Sequence, residues 1–154
     1  NRYREWNAEY SLGQAALRSA TVFNFFLPDF RPAGELSTLS LDAPEFQIAT
    51  DPLIASTLNR FGASVYWYWR GNDYQGPEDI VVDLAPYQAL AMSNPRALID
   101  YFDLMLMNRT MSDQMYQVLV AHISSLDPNS GQGRERVQDT IWLIHTSPEY
   151  AVER

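Results

Sequence analysis

The chain reads as an all-α protein, an antiparallel helical bundle-like domain interrupted by one long, ordered, proline-rich loop. Three observations carry that reading. Apolar residues recur at spacings of three and four in several separate stretches, and two of those stretches open on a capping residue followed by proline. No stretch shows the apolar–polar alternation of a half-buried strand in competition with them. At 154 residues with 46% hydrophobic content the chain suits a single domain, 1–154. It opens at Asn1 without a secretory pattern and reads as a processed product or an excised piece of something longer.

Taken from the N-terminus, "NRYREWNAEYSLGQAALRS" predicts a short helix before Gly13 and a further turn after it. Leu27 to Pro44 holds three prolines, Gly34 and several Ser/Thr, and reads as a long ordered loop. Loops of that length in compact domains are functional or are strapped down by their own side chains. At "TDPL", Asp51 is a good N-cap acceptor and Pro52 suits the first helical position, where its missing N–H costs nothing. A helix over 52–70 follows, with Ile54, Leu58, Phe61, Val65 and Trp69 as one apolar stripe that stops near Gly71. "GNDYQGPED" is an acidic turn, and the β-branched triplet Ile80–Val82 is too short to demand a sheet.

The second half repeats the cap-then-proline signal at Asn94 and Pro95, which predicts a helix over 95–107 with Leu98, Phe102, Met105 and Leu106 inward. Ser112 opens a helix over 113–126 whose inner side is read as Met115, Leu119, His122 and Leu126. After the turn "DPNSGQG", a helix over 134–147 turns Val137, Ile141 and Ile144 inward. Its Ile141–Ile144 run is apolar almost all round, which predicts a central position.

Composition removes several function classes. A net charge of −8 with scattered arginines argues against nucleic acid, because phosphate binding needs clustered cations. None of the 11 basic residues is lysine, so a Schiff base or a P-loop lysine is impossible. The absence of cysteine excludes disulfides, thiolate catalysis and thiolate-ligated metals. No apolar run approaches the roughly 20 residues of a membrane helix, so no membrane insertion is expected.

Few patterns carry chemistry. His122 and His145 are the only histidines; if their helices pair, the imidazoles approach one another and a carboxylate would complete a metal site. Without HExxH spacing or cysteine the favoured reading is two core-edge histidines, with no metal and no cofactor. "DPNSGQGRERVQ" resembles a calcium loop at Asp127 and Asn129 but has Gln132 where a glycine is needed and Gln138 in place of the bidentate glutamate, so it is rejected. In "VYWYWRGNDY", Tyr66 to Trp69 cannot all face a core, since successive helical residues point about 100° apart. Trp67 lies off the stripe, a candidate for stacking on a sugar or packing on a partner, against the plainer reading that it packs on its own loop. Asn108–Thr110 forms a glycosylation sequon of the kind that arises by chance, and Asp100 and Asp103 read as solvated helix charges.

The stretch "LGQAALRSATVFNFFLPDFRPAGEL" followed by "APEFQIATD" resembles the C-terminal portion of the bacterial family called domain of unknown function 1800. The resemblance rests on Leu12, Gly13, Gln14, Arg18, Val22 to Phe26, Pro28, Asp29, Gly34 and Ala43 to Gln47, with Thr21 where serine is usual. "ALIDYFDLMLMNRTMS" and "IWLIHTSPEYAVER" resemble the family's closing helices, so the similarity spans nearly the whole chain. It implies an all-helical, commonly exported protein, hence a periplasmic or secreted location, and no assigned reaction. The family's N-terminal region, with its histidine-rich "tryptophan-His-Asn-His-Phe" motif, is absent here.

Read physically, "VFNFF" and "APEFQ" are the two halves of a clasp, in which Phe25 and Phe46 are buried and Asn24, Glu45 and Gln47 find partners among loop amides and Arg18. Were the same groups left facing a cleft, Asn24, Glu45, Gln47 and Trp67 would be ligand- or partner-binding residues. Two function classes follow. One is a non-catalytic helical structural or interaction module whose partner is the rest of its own chain or another protein. The other is part of an extracytoplasmic hydrolase or carbohydrate-active protein whose site is completed by missing N-terminal sequence.

Overall fold

A computed structural model describes residues 8–22, 24–66 and 83–151. Every regular element among them is helical, and the sole pairing of extended type is an isolated bridge between Thr21 and Asn24. The helices are α1 (Ala8–Leu12), α2 (Glu35–Thr38), α3 (Asp51–Tyr66), α4 (Ala85–Ser93), α5 (Pro95–Met107), α6 (Asp113–Ser125), α7 (Arg134–His145) and α8 (Pro148–Ala151), with a 3-10 turn at Pro44–Gln47. The last turn expected of the 52–70 helix, and the Ile80–Val82 triplet, lie outside the described residues. The chain forms two compact units, Tyr3–Arg60 and Phe61–Arg154 with Asn1–Arg2.

In the Tyr3–Arg60 unit the C-terminal carbonyls of α1 find hydroxyls on α3. Ser56 Oγ donates to Tyr10 O at 2.9 Å and Thr57 Oγ1 to Ser11 O at 2.7 Å, supplying donors to carbonyls that a helix end otherwise leaves orphaned. Gly13 ends α1 at φ +69, and a Cβ there would lie 2.4 Å from Leu53 Cδ2. The proline-rich stretch is a pinned loop. Leu27 N donates to Gln47 Oε1 at 2.8 Å, Arg31 Nε to Asp42 Oδ1 at 2.7 Å, and Ala43 N to Phe30 O at 2.9 Å. One expectation is corrected: Phe46 is 50% exposed and Phe25 only partly buried, so aromatic burial is not what closes this clasp. It is held by one bond from backbone to side chain, one between side chains and one between backbones.

The Phe61–Arg154 unit holds the core, in which Leu98, Ile99, Leu119, Ile123, Val137 and Ile144 are fully buried. Asn94 Oδ1 accepts from Ala97 N and Ser112 Oγ from Met115 N, both at 3.1 Å, so these two of the three caps read from sequence hold their helices, whereas Asp51 is the first residue of α3 and not the one before it. Helix α7 packs against α4, α5, α6 and α8. Helix α4 has no counterpart in the sequence reading. Two side-chain placements also change: Met105 is exposed, and His122 lies outside the core while Val120 and Ile123 are buried in its stead.

Two features lock α7 in place. Gly133, just before it, is buried at φ +79, where an added Cβ would lie 2.6 Å from Gln88 O and 2.9 Å from Met92 Cγ on α4. The turn before it, Ser130–Gly133, also holds Gly131 and Gln132 in the left-handed region. Arg136 is buried and donates through Nε and Nη2 to Leu126 O at 3.2 and 2.6 Å, and through Nη1 to Ala91 O at 2.9 Å. A guanidinium at the C-terminal ends of α4 and α6 completes orphan carbonyls and complements both helix dipoles.

Candidate functional site

The three sequence candidates among the described residues do not converge. Gln47 is engaged, its carbonyl oxygen accepting from Leu27 N. Glu45 is exposed, as is Asn24, which sits at φ +87 with its backbone tied to Thr21. Arg18, expected among their partners, pairs instead with Glu9 at 2.9 Å. Trp67 lies outside the described residues. An open depression of about 420 Å³ is lined by Ala8, Gln14, Ala16, Leu17, Asn24 and Phe25 among others, and its described lining includes neither Glu45 nor Gln47. Leu17 is held at φ 60, left-handed for a branched side chain, and is fully exposed.

A different group of residues, read in sequence only singly, does come together in the other unit. Asp139 on α7 accepts at one oxygen from the Tyr66 hydroxyl at the end of α3. Its other oxygen lies 2.7 Å from Nε2 of His122 on α6. The Asp139 side chain is 19% exposed and that of His122 42% exposed. Burial, and then the bond to Asp139, push ionisation of the Tyr66 phenol well above its ordinary range, so Tyr66 remains a neutral donor. Gln138, buried beside Asp139, donates from Nε2 to Val65 O at 2.9 Å and fixes the same end of α3. Trp142 meets the Tyr66 ring edge-on at 6.1 Å.

The two histidines therefore do not build a metal site together. His145 places Nδ1 2.8 Å from Ile141 O on its own helix and its ring against Tyr150, while His122 takes Asp139. Among the described residues no three metal-ligating side chains converge. The signal for this cluster was present in sequence only as spacing. Asp139 lies one helical turn before Leu143 on a helix whose apolar run drew attention to its other faces.

No protein-family model matches the chain, and no curated protein and no solved structure matches it. Among the described residues no helix is long and apolar enough to cross a membrane.

Proposed function

We propose that this chain is a helical structural or interaction module of a longer bacterial protein, and that the Tyr3–Arg60 unit docks on another part of that protein. One observation carries the reading. Between residues 8 and 60 not one described hydrophobic side chain is buried; Ser11 alone is. Tyr10, Leu17, Val22, Leu39, Leu41 and Phe46 are exposed in a segment that carries its own polar pins. Exposed apolar surface on that scale marks a partner-facing region, because burying each such side chain is worth about 1.5–3 kcal/mol.

The resemblance to the domain of unknown function 1800 family supports the same reading. Its most specific motifs fall within this exposed segment, and the family's members carry an N-terminal region absent from this sequence. An exported location follows from that resemblance alone. Hydrogen exchange tests the docking: amides of 14–48 should exchange readily in this chain and slow at least about tenfold in the longer protein, while those of 95–145 stay alike in both. Equal exchange of 14–48 in the two would refute it.

A second reading, part of a hydrolase, is favoured by the oriented imidazole–carboxylate pair of His122 and Asp139.

A further inference from the structure

We propose that His122 is a nucleophilic imidazole whose Nδ1 takes acyl groups from small activated esters and passes them to water. The inference rests on the Phe61–Arg154 unit alone and is independent of docking by the other unit.

The argument starts with Asp139. A carboxylate only accepts hydrogen bonds, so the ring nitrogen facing it must carry the proton. That nitrogen is Nε2, at 2.7 Å. In the neutral ring the lone pair is then on Nδ1, which has no hydrogen-bond partner among the described residues. The carboxylate is itself immobilised, since its second oxygen receives the Tyr66 hydroxyl and its side chain is largely buried. A histidine oriented through its far nitrogen by a fixed carboxylate is the arrangement that sets a reactive tautomer in acyl-transfer enzymes. His145 supplies the internal contrast. Its Nδ1 faces the Ile141 carbonyl, which fixes the proton there and leaves the lone pair on Nε2, and among the described residues no carboxylate bonds its ring to face an acyl-imidazolium.

The steps balance without any further reactant. The Nδ1 lone pair attacks the ester carbonyl carbon, and the C–O bond breaks with its electrons leaving on the alkoxide or phenolate. The acyl-imidazolium keeps its Nε2 proton, and its positive charge faces the Asp139 carboxylate. Water adds to the acyl carbon, the C–N pair returns to Nδ1, and the carboxylic acid and one proton leave to solvent. His122 is the catalytic residue, whereas Asp139 and Tyr66 are positioning residues. The His122 side chain is 42% exposed, so the substrate class is small and activated, with little selectivity for the acyl group.

The test uses 4-nitrophenyl acetate near neutral pH with the whole chain. H122N should lower the hydrolysis rate by at least about tenfold, below the roughly 10²–10⁴-fold typical of a positioned base because the ring is partly open to water. H145N should leave the rate within about twofold of the parent, since a neutral backbone carbonyl orients its ring and no carboxylate faces the acyl-imidazolium it would form. D139N places an amide that can donate to Nε2, which moves the ring proton to Nδ1 and removes the nucleophile, so it should approach H122N. The tautomer is read directly in the unmodified protein from long-range ¹H–¹⁵N correlations, with H145N assigning the two rings. Protonated Nε2 and bare Nδ1 on His122 are expected. A proton on Nδ1, or hydrolysis by H122N as fast as by the parent, overturns the proposal. So does a D139N protein that melts lower yet hydrolyses normally, for that is the signature of a purely structural tie.

Discussion

Replacing Gly133 with alanine tests whether the approach of α7 to α4 limits stability. Two costs arise at this position. Its φ of +79 is a left-handed conformation, which costs an L-residue about 1–2 kcal/mol. The new Cβ would also stand 2.6 Å from Gln88 O, a backbone atom inside α4, and 2.9 Å from Met92 Cγ. Met92 can turn aside, but the Gln88 carbonyl moves only if α4 does, and such overpacking costs about 1–3 kcal/mol. Together they amount to about 2–5 kcal/mol, a large part of the roughly 5–15 kcal/mol that a domain has. At about 2–4 °C per kcal/mol for a chain of this size, Tm should fall by around 10 °C. Gly131→Ala is the matched control, because it shares the positive φ, at +55, but its nearest neighbours are Arg134 side-chain atoms at 3.4 Å or more. That variant should lose only the conformational part, about 1–2 kcal/mol. Equilibrium denaturation of both variants isolates the clash as their difference. Equal losses would refute the claim that helix proximity, and not backbone conformation, dictates glycine at 133.

Arg136→Ala strands the carbonyls of Ala91 and Leu126 and should cost about 2–5 kcal/mol by denaturant midpoint, with Arg136→Lys intermediate because one ammonium cannot reproduce the guanidinium fork. Gln132→Gly relieves a non-glycine residue at φ 58 and should raise the midpoint by up to about 1 kcal/mol; a loss would show that the Gln132 side chain matters more than its backbone. Phe102→Ala should cost about 3–5 kcal/mol, whereas half-exposed Phe46→Ala should cost nearer 1 kcal/mol; comparable melting shifts would contradict the burial difference. Thermal melts with and without EDTA should coincide, and a drop of several degrees on chelation would reveal a structural cation.

The helices that announced themselves in sequence did so through local chemistry. Asn94–Pro95 and Ser112 cap α5 and α6 by bonds to residues three positions on, so the signal and its cause share one short window. Helix α4 escaped because its buried face is carried by Ala91, which leaves no stripe of large residues to count. In the α6 stripe Met115, Leu119 and Leu126 were placed correctly and only His122 was not, since spacings of three and four through His122 or through Ile123 are equally helical, and only packing separates them. The buried polar residues of α7 were illegible for a different reason. Arg136, Gln138 and Thr140 make sense only through their bonds, and two of them reach carbonyls on helices distant in sequence. The Tyr66–Asp139–His122 cluster shares that property, whereas Asn24, Glu45 and Gln47 were conspicuous for local polarity among aromatics.

Arg136 also bears on the order in which the chain emerges from the ribosome. Synthesis delivers Ala91 and Leu126 ahead of residue 136, so for a time the carbonyls that end α4 and α6 have only water to bind. The donor that serves both arrives ten residues after the second acceptor. Until it does, those helix ends lack their shared donor, and a released chain that ends before residue 136 leaves them open to proteolysis. One side chain thus makes the completion of two earlier helices wait on a later one, and released chains ending before residue 136 should be cut near Ala91 far more readily than the whole chain.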